Sequence, residues 1–371
     1  MNILILGGYG YAGLAVARLL AGIEGNHRVM LGGRNEQKCR EATSALGLPS
    51  GAGRQMDASS ASSLRENLSD VDLLLVASSS TQWAEIVIRA CLDSGCDYFD
   101  IQMPFPEKHR ALNRHREEIE KKKRTFITDG GFHPGVPAAM VRWAGLHLEK
   151  LEKVEIGCMV RADWGKLRFS SDTIVEMVEE LHYYEPKIVR NRQVQRVKAG
   201  SSKRFQFSKS KAKTPCAAMW LPELAALPSM FPALTEVGFY ISGFNPVTDL
   251  ATIPLVLAAL KIAPGFSKAQ LGSLLSWSLR NFSRPPYRTQ INMQAYGIVQ
   301  GTRCRQILNI SHPDPYTMTA IPVVAAIKQY LQAPGARPGL WFQGQYVEPV
   351  DFMRDLAALG AEMTYLNPTE R

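Results

Sequence analysis

Gly8, Gly10 and Gly13 stand at the spacing G-x-G-x-x-G, directly after the apolar run Ile3-Leu4-Ile5-Leu6. The residues that follow, from about Leu14 to Ala21, have a helical apolar pattern with Gly22 as its stop. In such a strand–turn–helix setting one glycine makes the tight turn, one lets the backbone approach a pyrophosphate, and one lets helix and strand pack closely. The open N–H groups and positive dipole of the helix N-terminus then hold the phosphates. The chemistry indicated is dinucleotide binding through Gly8, Tyr9, Gly10, Tyr11, Ala12 and Gly13. A glycine turn that holds no nucleotide is the alternative.

The end of the second strand bears on which dinucleotide. An NAD site places Asp or Glu about 20 residues on, for the ribose 2′-hydroxyl. Twenty residues after Gly13 comes Gly33, in Gly32-Gly33-Arg34-Asn35, with no carboxylate. Arg34 offers a fork of donors that suits a 2′-phosphate, so NADP(H) is expected over NAD(H), unless Arg34 is simply an exposed residue after a strand. Asp57 and Ala58 follow the third strand, where Asp57 could meet adenine. Ala77, Ser78, Ser79 and Ser80 end the fourth strand beside the cofactor's path, or are loop residues capping the next helix.

Hydride transfer is a cofactor's chemistry and asks the protein for positioning and a proton source. His133 is the first candidate donor: it follows a glycine loop at the C-terminal end of a strand, the edge where open α/β sheets bind ligands. It could equally cap the next helix. Asp100 and Asp129 end strands on the same edge and could orient His133 or accept an ammonium, or serve only as turn residues. Arg161 and Arg168, with Lys166, flank the turn Asp163-Trp164-Gly165 and could bind substrate carboxylates, or be surface charges. The histidines and cysteines show no ligand-like cluster, so no metal site is expected.

These residues need a frame. The first 130 residues alternate strands and helices: strands at Val29 to Leu31, around Gln55 and Met56, Val71 to Ala77, Tyr98 to Ile101 and Thr125 to Thr128. Helices follow Asn35, run from Thr81 to Ser94 with Gly95 as a stop, and span about Glu107 to Lys123. This alternation predicts an α/β fold with a Rossmann-type, doubly wound parallel sheet. Strands then cluster. Val154 to Arg161, Phe239 to Ile241, and the pair Arg288 to Tyr296 with Arg303 to Ile310 predict a second α+β domain carrying a mostly antiparallel sheet. A helix at Ser171 or Asp172 onward and an apolar helix after the loop Ser242 to Asp249 belong to it. Residues 1–135 and about 316–371 are expected to form the first domain, and about 136–315 a substrate-binding and dimerisation domain. The tail, with Gly339-Leu340-Trp341 and a helix from Pro349 to Gly360, is expected to pack on the first.

With 371 residues, 46% hydrophobic and 21% charged, the chain has core enough for two domains and lacks the composition of a disordered one. The longest aliphatic run, Leu255 to Leu260, is far short of the roughly 20 residues that span a bilayer. No signal peptide is read at the start, and six cysteines without a CxxC pair fit reduced thiols, so a cytoplasmic protein is expected. The net charge of +9 is concentrated: ten basic residues and no acid lie between Lys187 and Pro222. This segment, 187–213, reads as a solvated hairpin with Gly200-Ser201-Ser202 at its tip. An acidic partner there is the alternative, with nucleic acid the weakest reading, because Phe205 and Phe207 alternate as core-facing strand residues.

The opening Ile3-Leu4-Ile5-Leu6-Gly7-Gly8-Tyr9-Gly10-Tyr11-Ala12-Gly13 resembles that of saccharopine dehydrogenase-like proteins, the saccharopine reductase branch. Gly33-Arg34-Asn35 and Met56-Asp57-Ala58 are similar to that family's second- and third-strand ends. Ala90 to Asp100 is similar to its A-C-x-x-x-G-x-x-Y-x-D passage. Gly130-Gly131-Phe132-His133-Pro134-Gly135 resembles its glycine loop, and Thr319-Ala320-Ile321-Pro322 its return to the first domain. The resemblance implies an NADP-linked oxidoreductase of secondary-amine chemistry, with Gly131 beside the cofactor. It would join an amine to a keto acid or aldehyde and reduce the imine, or run the reverse; the second domain's mostly antiparallel sheet would make it a homodimer. His133 replaces an Asp common in the family loop. Ile101-Gln102-Met103-Pro104 stands where reductases commonly show Ser or Thr and a Tyr. Both departures lie near the nicotinamide and put saccharopine itself in doubt. A C=O or C=C reductase, or a non-catalytic NADP-binding sensor or partner-binding protein, are the other functions in view.

Overall fold

The computed structural model describes residues 1–167, 169, 171–198, 201–207, 213–262 and 267–366. The chain divides into two compact units, residues 1–139 with 319–359 and residues 140–318 with 360–371.

The first unit is built on β1 (Asn2–Leu6), β2 (Arg28–Gly33), β3 (Gly53–Gln55), β4 (Leu73–Val76), β5 (Asp97–Asp100) and β6 (Thr125–Thr128). A seventh strand, Gly339–Phe342, pairs in parallel with β6. The spatial order is β3-β2-β1-β4-β5-β6 followed by that late strand, every pairing parallel. This is the 3-2-1-4-5-6 order of a dinucleotide-binding sheet, whose two halves meet between β1 and β4. Strands buried on both faces must be apolar throughout. β4, Leu-Leu-Leu-Val, is buried at every residue, and Leu4, Leu6, Met30, Leu74, Val76, Tyr98 and Phe126 join the helices' apolar faces in one core.

Local signals act as the sequence suggests. Asn35 caps the helix Glu36–Ala45 by accepting from Lys38 N at 2.9 Å. Gly95 ends the helix Ala84–Ser94 in the left-handed conformation, φ 68°. One expectation changes: the charged helix expected over Glu107 to Lys123 is two, Pro106–Arg114 and Arg116–Lys121. His115 stands at the break with its ring turned inward, Nε2 2.7 Å from Glu85 Oε1.

The second unit contains β7 (Lys150–Arg161), β8 (Lys187–Arg190), β9 (Gln193–Arg196), β10 (Ser202–Phe205), β11 (Thr214–Met219), β12 (Glu236–Ser242), β13 (Arg288–Val299) and β14 (Thr302–His312). Its sheet runs β10-β11-β12-β7-β13-β14 and ends on the strand Glu362–Leu366. Among the described residues only β12 and β7 pair in parallel, so the sheet is mostly antiparallel. Val154, Ile156 and Cys158, alternate residues of β7, are fully buried. Helices Ser171–His182, Ile253–Ile262 and Lys268–Phe282 bury Val178, Val256 and Leu271 together.

Two sequence expectations, the tail and the basic hairpin, are corrected here, and one helix is added. The tail is divided: Gly339–Phe342 joins the first sheet, but Glu362–Leu366 pairs with β14, so the last strand belongs to the second unit rather than the first. The helix Lys268–Phe282 went unread, although Leu271, Leu275 and Leu279 recur at helical spacing. Its Gly272 admits Ile174, whose Cγ2 would lie 2.3 Å from an added Cβ.

The basic segment is not one hairpin tipped at Gly200, a residue outside those described. β8 and β9 turn at Asn191-Arg192, both at positive φ (50° and 65°), a pair of left-handed residues that a two-residue hairpin turn requires. Much of the charge is used within the unit. Lys187 pairs with Glu185 at 2.7 Å, Arg190 with Glu236 at 3.3 Å, and Lys203 with Glu155 and Glu236. Arg192 donates to the carbonyls of Pro228 and Phe231. Lys209 and Lys211 lie outside the described residues. As expected, Phe205 is core, packed with Ile188, Cys216, Ala218 and Tyr240. No helix among the described residues is long and apolar enough to cross a membrane.

Candidate functional site

The glycine loop leaves β1 and enters the helix Tyr11–Ala21, whose N-cap is Gly10 with no side-chain cap. Each glycine meets a different constraint. The left-handed turn falls on Gly7 (φ +87°), one residue ahead of the fingerprint, where an added Cβ would lie 2.8 Å from the Ala77 carbonyl group. Gly8 packs on Leu31, also 2.8 Å from such a Cβ, and Gly13 lets the helix lie against the loop, with Gly7 O only 2.3 Å away. Gly10 is the open one: an added Cβ would meet only Gly7 O, at 3.1 Å. The loop is closed by Gly10 N donating to Gly7 O at 2.9 Å, and Gly7 N and Gly8 N both donate to Gly32 O. The positive end of the helix dipole points at the loop and favours an anion there. The residues therefore fit a pyrophosphate.

At the end of β2, Tyr9 lies over Gly33, where any Cβ would fall 2.4 Å from its ring. Arg34 follows, its carbonyl accepting from Gln55 Nε2 at 3.2 Å, and Lys38 stands with its ammonium 6.0 Å from the Tyr9 ring centroid. Asn35 spends its side chain on the helix cap. Asp57 accepts from Ser59 N at 2.9 Å and Ser59 Oγ at 2.8 Å. Those bonds, the backbone one first, hold its carboxyl below the usual range. Ala58 is core. Tyr11 opens the helix with its side chain exposed.

Across the switch point, Ala77 N bonds Leu6 O at 2.8 Å, and Ser78 Oγ shares a bond with Ser80 Oγ at 2.8 Å. Gln102, beyond β5, reaches this loop: its Nε2 donates to Ser78 O at 2.9 Å and Ser80 Oγ at 3.1 Å.

The two carboxylates sit together, but around an internal partner. Lys108 Nζ lies 2.6 Å from Asp100 Oδ1, 2.8 Å from Asp129 Oδ1 and 3.0 Å from Gln102 O, all three side chains buried. Thr128 Oγ1 donates to Asp100 Oδ2 at 2.6 Å, and His109 Nε2 lies 3.0 Å from Asp129 Oδ1. Burial would push Lys108 toward neutrality, but Asp100 and Asp129 outweigh it and hold the ammonium above its ordinary pKa. Burial likewise opposes the charge on Asp129, and Lys108 and His109 overcome it, keeping its carboxyl well below the usual range. The ammonium these carboxylates accept is thus Lys108's own. Asp129 takes positive φ, 56°, to make the turn into Gly130. Neither Lys108 nor His109 was singled out in the sequence. Their signal was two basic residues opening a helix after a strand-end Asp.

Gly131, at φ +127°, is clamped by Gln343: its N–H donates to Gln343 Oε1 at 3.0 Å, and its carbonyl accepts from Gln343 Nε2 at 3.1 Å. His133 follows, its ring 4.2 Å from that of Phe132. Burial drives its pKa down to about 4, so the imidazole is neutral at pH 7. A neutral ring of this kind can donate or accept a hydrogen bond. In the second unit Arg161 closes β7 opposite Arg288, Lys166 pairs with Asp163 at 3.0 Å, and Arg168 lies outside the described residues.

Residues 3–131 match the family model described as saccharopine dehydrogenase NADP binding domain. No curated protein matches the sequence. Among solved structures, apo saccharopine dehydrogenase (L-Glu forming) from Saccharomyces cerevisiae is similar at a TM-score of 0.72 and 14% identity, over 98% of this chain and 99% of that one. A substituted meso-DAP dehydrogenase from Clostridium tetani gives 0.48 at 10% identity, over 95% of each chain. The likeness to the yeast structure, at 14% identity, is one of fold. Residues 3–131, which carry the glycine loop, are thus similar to a saccharopine dehydrogenase NADP binding domain, as the sequence resemblance implied.

Proposed function

We propose that the chain is an NADP(H)-dependent oxidoreductase acting on a C–N bond: it reduces an imine formed from an amine and a keto acid or aldehyde, or oxidises the secondary amine. The observation that carries the reading is the open Gly10 loop on a 3-2-1-4-5-6 sheet whose residues 3–131 match an NADP binding domain. The absence of a carboxylate at Gly33-Arg34 supports the phosphorylated cofactor. Bound there, the nicotinamide would supply or take the hydride. The glycine loop and helix N-terminus bind the pyrophosphate, Tyr9 and Arg34 receive the adenosine end, and Ser78, Ser79 and Gly131 flank the other end. His133, neutral at pH 7, orients an N–H or O–H group. Asp100 and Asp129, held by Lys108, shape the strand ends. Arg161 is the proposed carboxylate contact of the second unit, and the working form is a cytoplasmic homodimer, which sedimentation tests.

A second reading has its own support. Both candidate carboxylates are engaged internally, so a non-catalytic NADP-binding sensor would need no change to this site. Titration of the protein with NADPH, then a panel of amine and carbonyl pairs followed by NADPH absorbance, separates the two. Turnover of an amine–carbonyl pair carries the first. Turnover of the carbonyl compound alone points to a C=O reductase. Tight binding with no turnover favours the sensor.

A further inference from the structure

The hydrogen bonds of Gln102, just beyond β5, tie together loops at the ends of neighbouring strands. Three loops meet at the C-terminal ends of β4, β5 and β6. Gln102 spans the first two with both its side chain and its backbone. Its amide nitrogen donates to Ser78 O and Ser80 Oγ, while its carbonyl oxygen accepts from Lys108 Nζ and its backbone N–H donates to Asp100 Oδ1 at 3.2 Å. Lys108 in turn holds Asp100 and Asp129. The chain of contacts therefore runs from the serine loop through one residue to a buried charge cluster that fixes β5 and β6. Gln102 is only 6% exposed and Ser80 also 6%, so water cannot easily replace these bonds.

The position gives the network its meaning. In a sheet of this order the adenosine half of a dinucleotide lies over β1, β2 and β3, and the other half over β4, β5 and β6. The serine loop is on that second half. We propose that Gln102 is the positioning residue for the nicotinamide end of the cofactor site, holding the Ser78–Ser80 loop in place against the buried Asp100–Lys108–Asp129 cluster. The inference rests on the NADP(H) reading above.

A residue that tunes only one end of a dinucleotide has a signature that general destabilisation lacks. The test measures the affinity of wild type, Gln102→Leu and Ser80→Ala for NADPH and for adenosine 2′,5′-bisphosphate, which has no nicotinamide. Loss of the two buried bonds should weaken NADPH by about tenfold in Gln102→Leu and less in Ser80→Ala, with the bisphosphate unchanged within about twofold. Equal weakening of both ligands, or of neither, overturns the assignment. Retained bisphosphate binding certifies that the Gln102 variant is folded. If it does not fold, Ser80→Ala alone must show the smaller split, and a Ser80→Ala that binds both ligands like wild type overturns the proposal. Wild-type protein that binds neither ligand overturns the cofactor reading itself, and this inference with it.

Discussion

Gly10→Ala separates cofactor binding from folding at a single methyl group. Gly10 sits at φ −75° and ψ 164°, extended backbone that alanine adopts without strain. Its added Cβ meets one atom, Gly7 O at 3.1 Å, which a shift of a few tenths of an ångström relieves. Alanine is a poorer N-cap than glycine, so the expected cost to folding is about 1 kcal/mol. The same methyl stands on the face where the pyrophosphate would approach the helix N-terminus. Forfeiting one charge-assisted bond there costs about 1.5–3 kcal/mol, or roughly 10- to 150-fold in affinity. Gly13→Ala is the contrasting variant. Its Cβ would lie 2.3 Å from Gly7 O and 3.0 Å from Gly8 Cα, both backbone, so neither can swing aside. Overpacking of that kind costs up to about 3 kcal/mol, partly offset by alanine's better helix propensity. NADPH titration by nicotinamide fluorescence, beside urea unfolding, measures both quantities. A Gly10→Ala protein that unfolds like wild type and binds NADPH with undiminished affinity refutes the assignment of the loop.

Arg34→Ala should weaken NADPH by about 10- to 100-fold and NADH far less, since only the former presents a 2′-phosphate. Equal losses in parallel titrations mean that Arg34 does not read it. Lys108→Met leaves two buried carboxylates without their cation and should cost about 3–5 kcal/mol in urea unfolding. Adding Asp129→Asn should then recover part of that loss, and strict additivity of the two changes would sink the cluster's cooperative reading. His133 is neutral when folded down to about pH 4, whereas the unfolded chain takes up its proton near pH 6.5. Its burial therefore withdraws stability as pH falls from about 6.5 to 4. His133→Asn should flatten that limb of a stability–pH curve, and an unchanged limb would show that the ring is not desolvated.

Local physics made much of the first unit readable. Buried parallel strands must be apolar along their length, as β4 is, and caps such as Asn35 and Gly95 act within a few residues of themselves. The glycine spacing was legible for the same reason, yet the actual left-handed turn fell on Gly7. Strand geometry places the turn, and the sequence offers two adjacent glycines that look alike. What could not be read was pairing across the sheet. Asp100, Lys108 and Asp129 come from three segments, and their meeting depends on β5 and β6 being neighbours. Without that, Asp100 and Asp129 looked available to a ligand. The β8–β9 turn was misplaced because Asn191-Arg192 carries no glycine, while Gly200 advertised a turn nearby.

The Gln343 clamp on Gly131 has a consequence for how the protein is made. The two residues are 212 positions apart, and the strand that brings Gln343 is the last to join the first sheet. At about 5–20 residues per second, a ribosome needs about 10–40 s to supply it. Throughout that interval β6 is an unpaired parallel edge, and the loop carrying Gly131 and His133 lacks its bidentate partner. The rest of the cofactor cradle, from Gly7 to Gln102, needs no residue beyond β6. A nascent chain could thus bind the adenosine end of a cofactor well before the reactive end is set, and ligand present during synthesis would favour the half-built sheet over aggregation through its open edge.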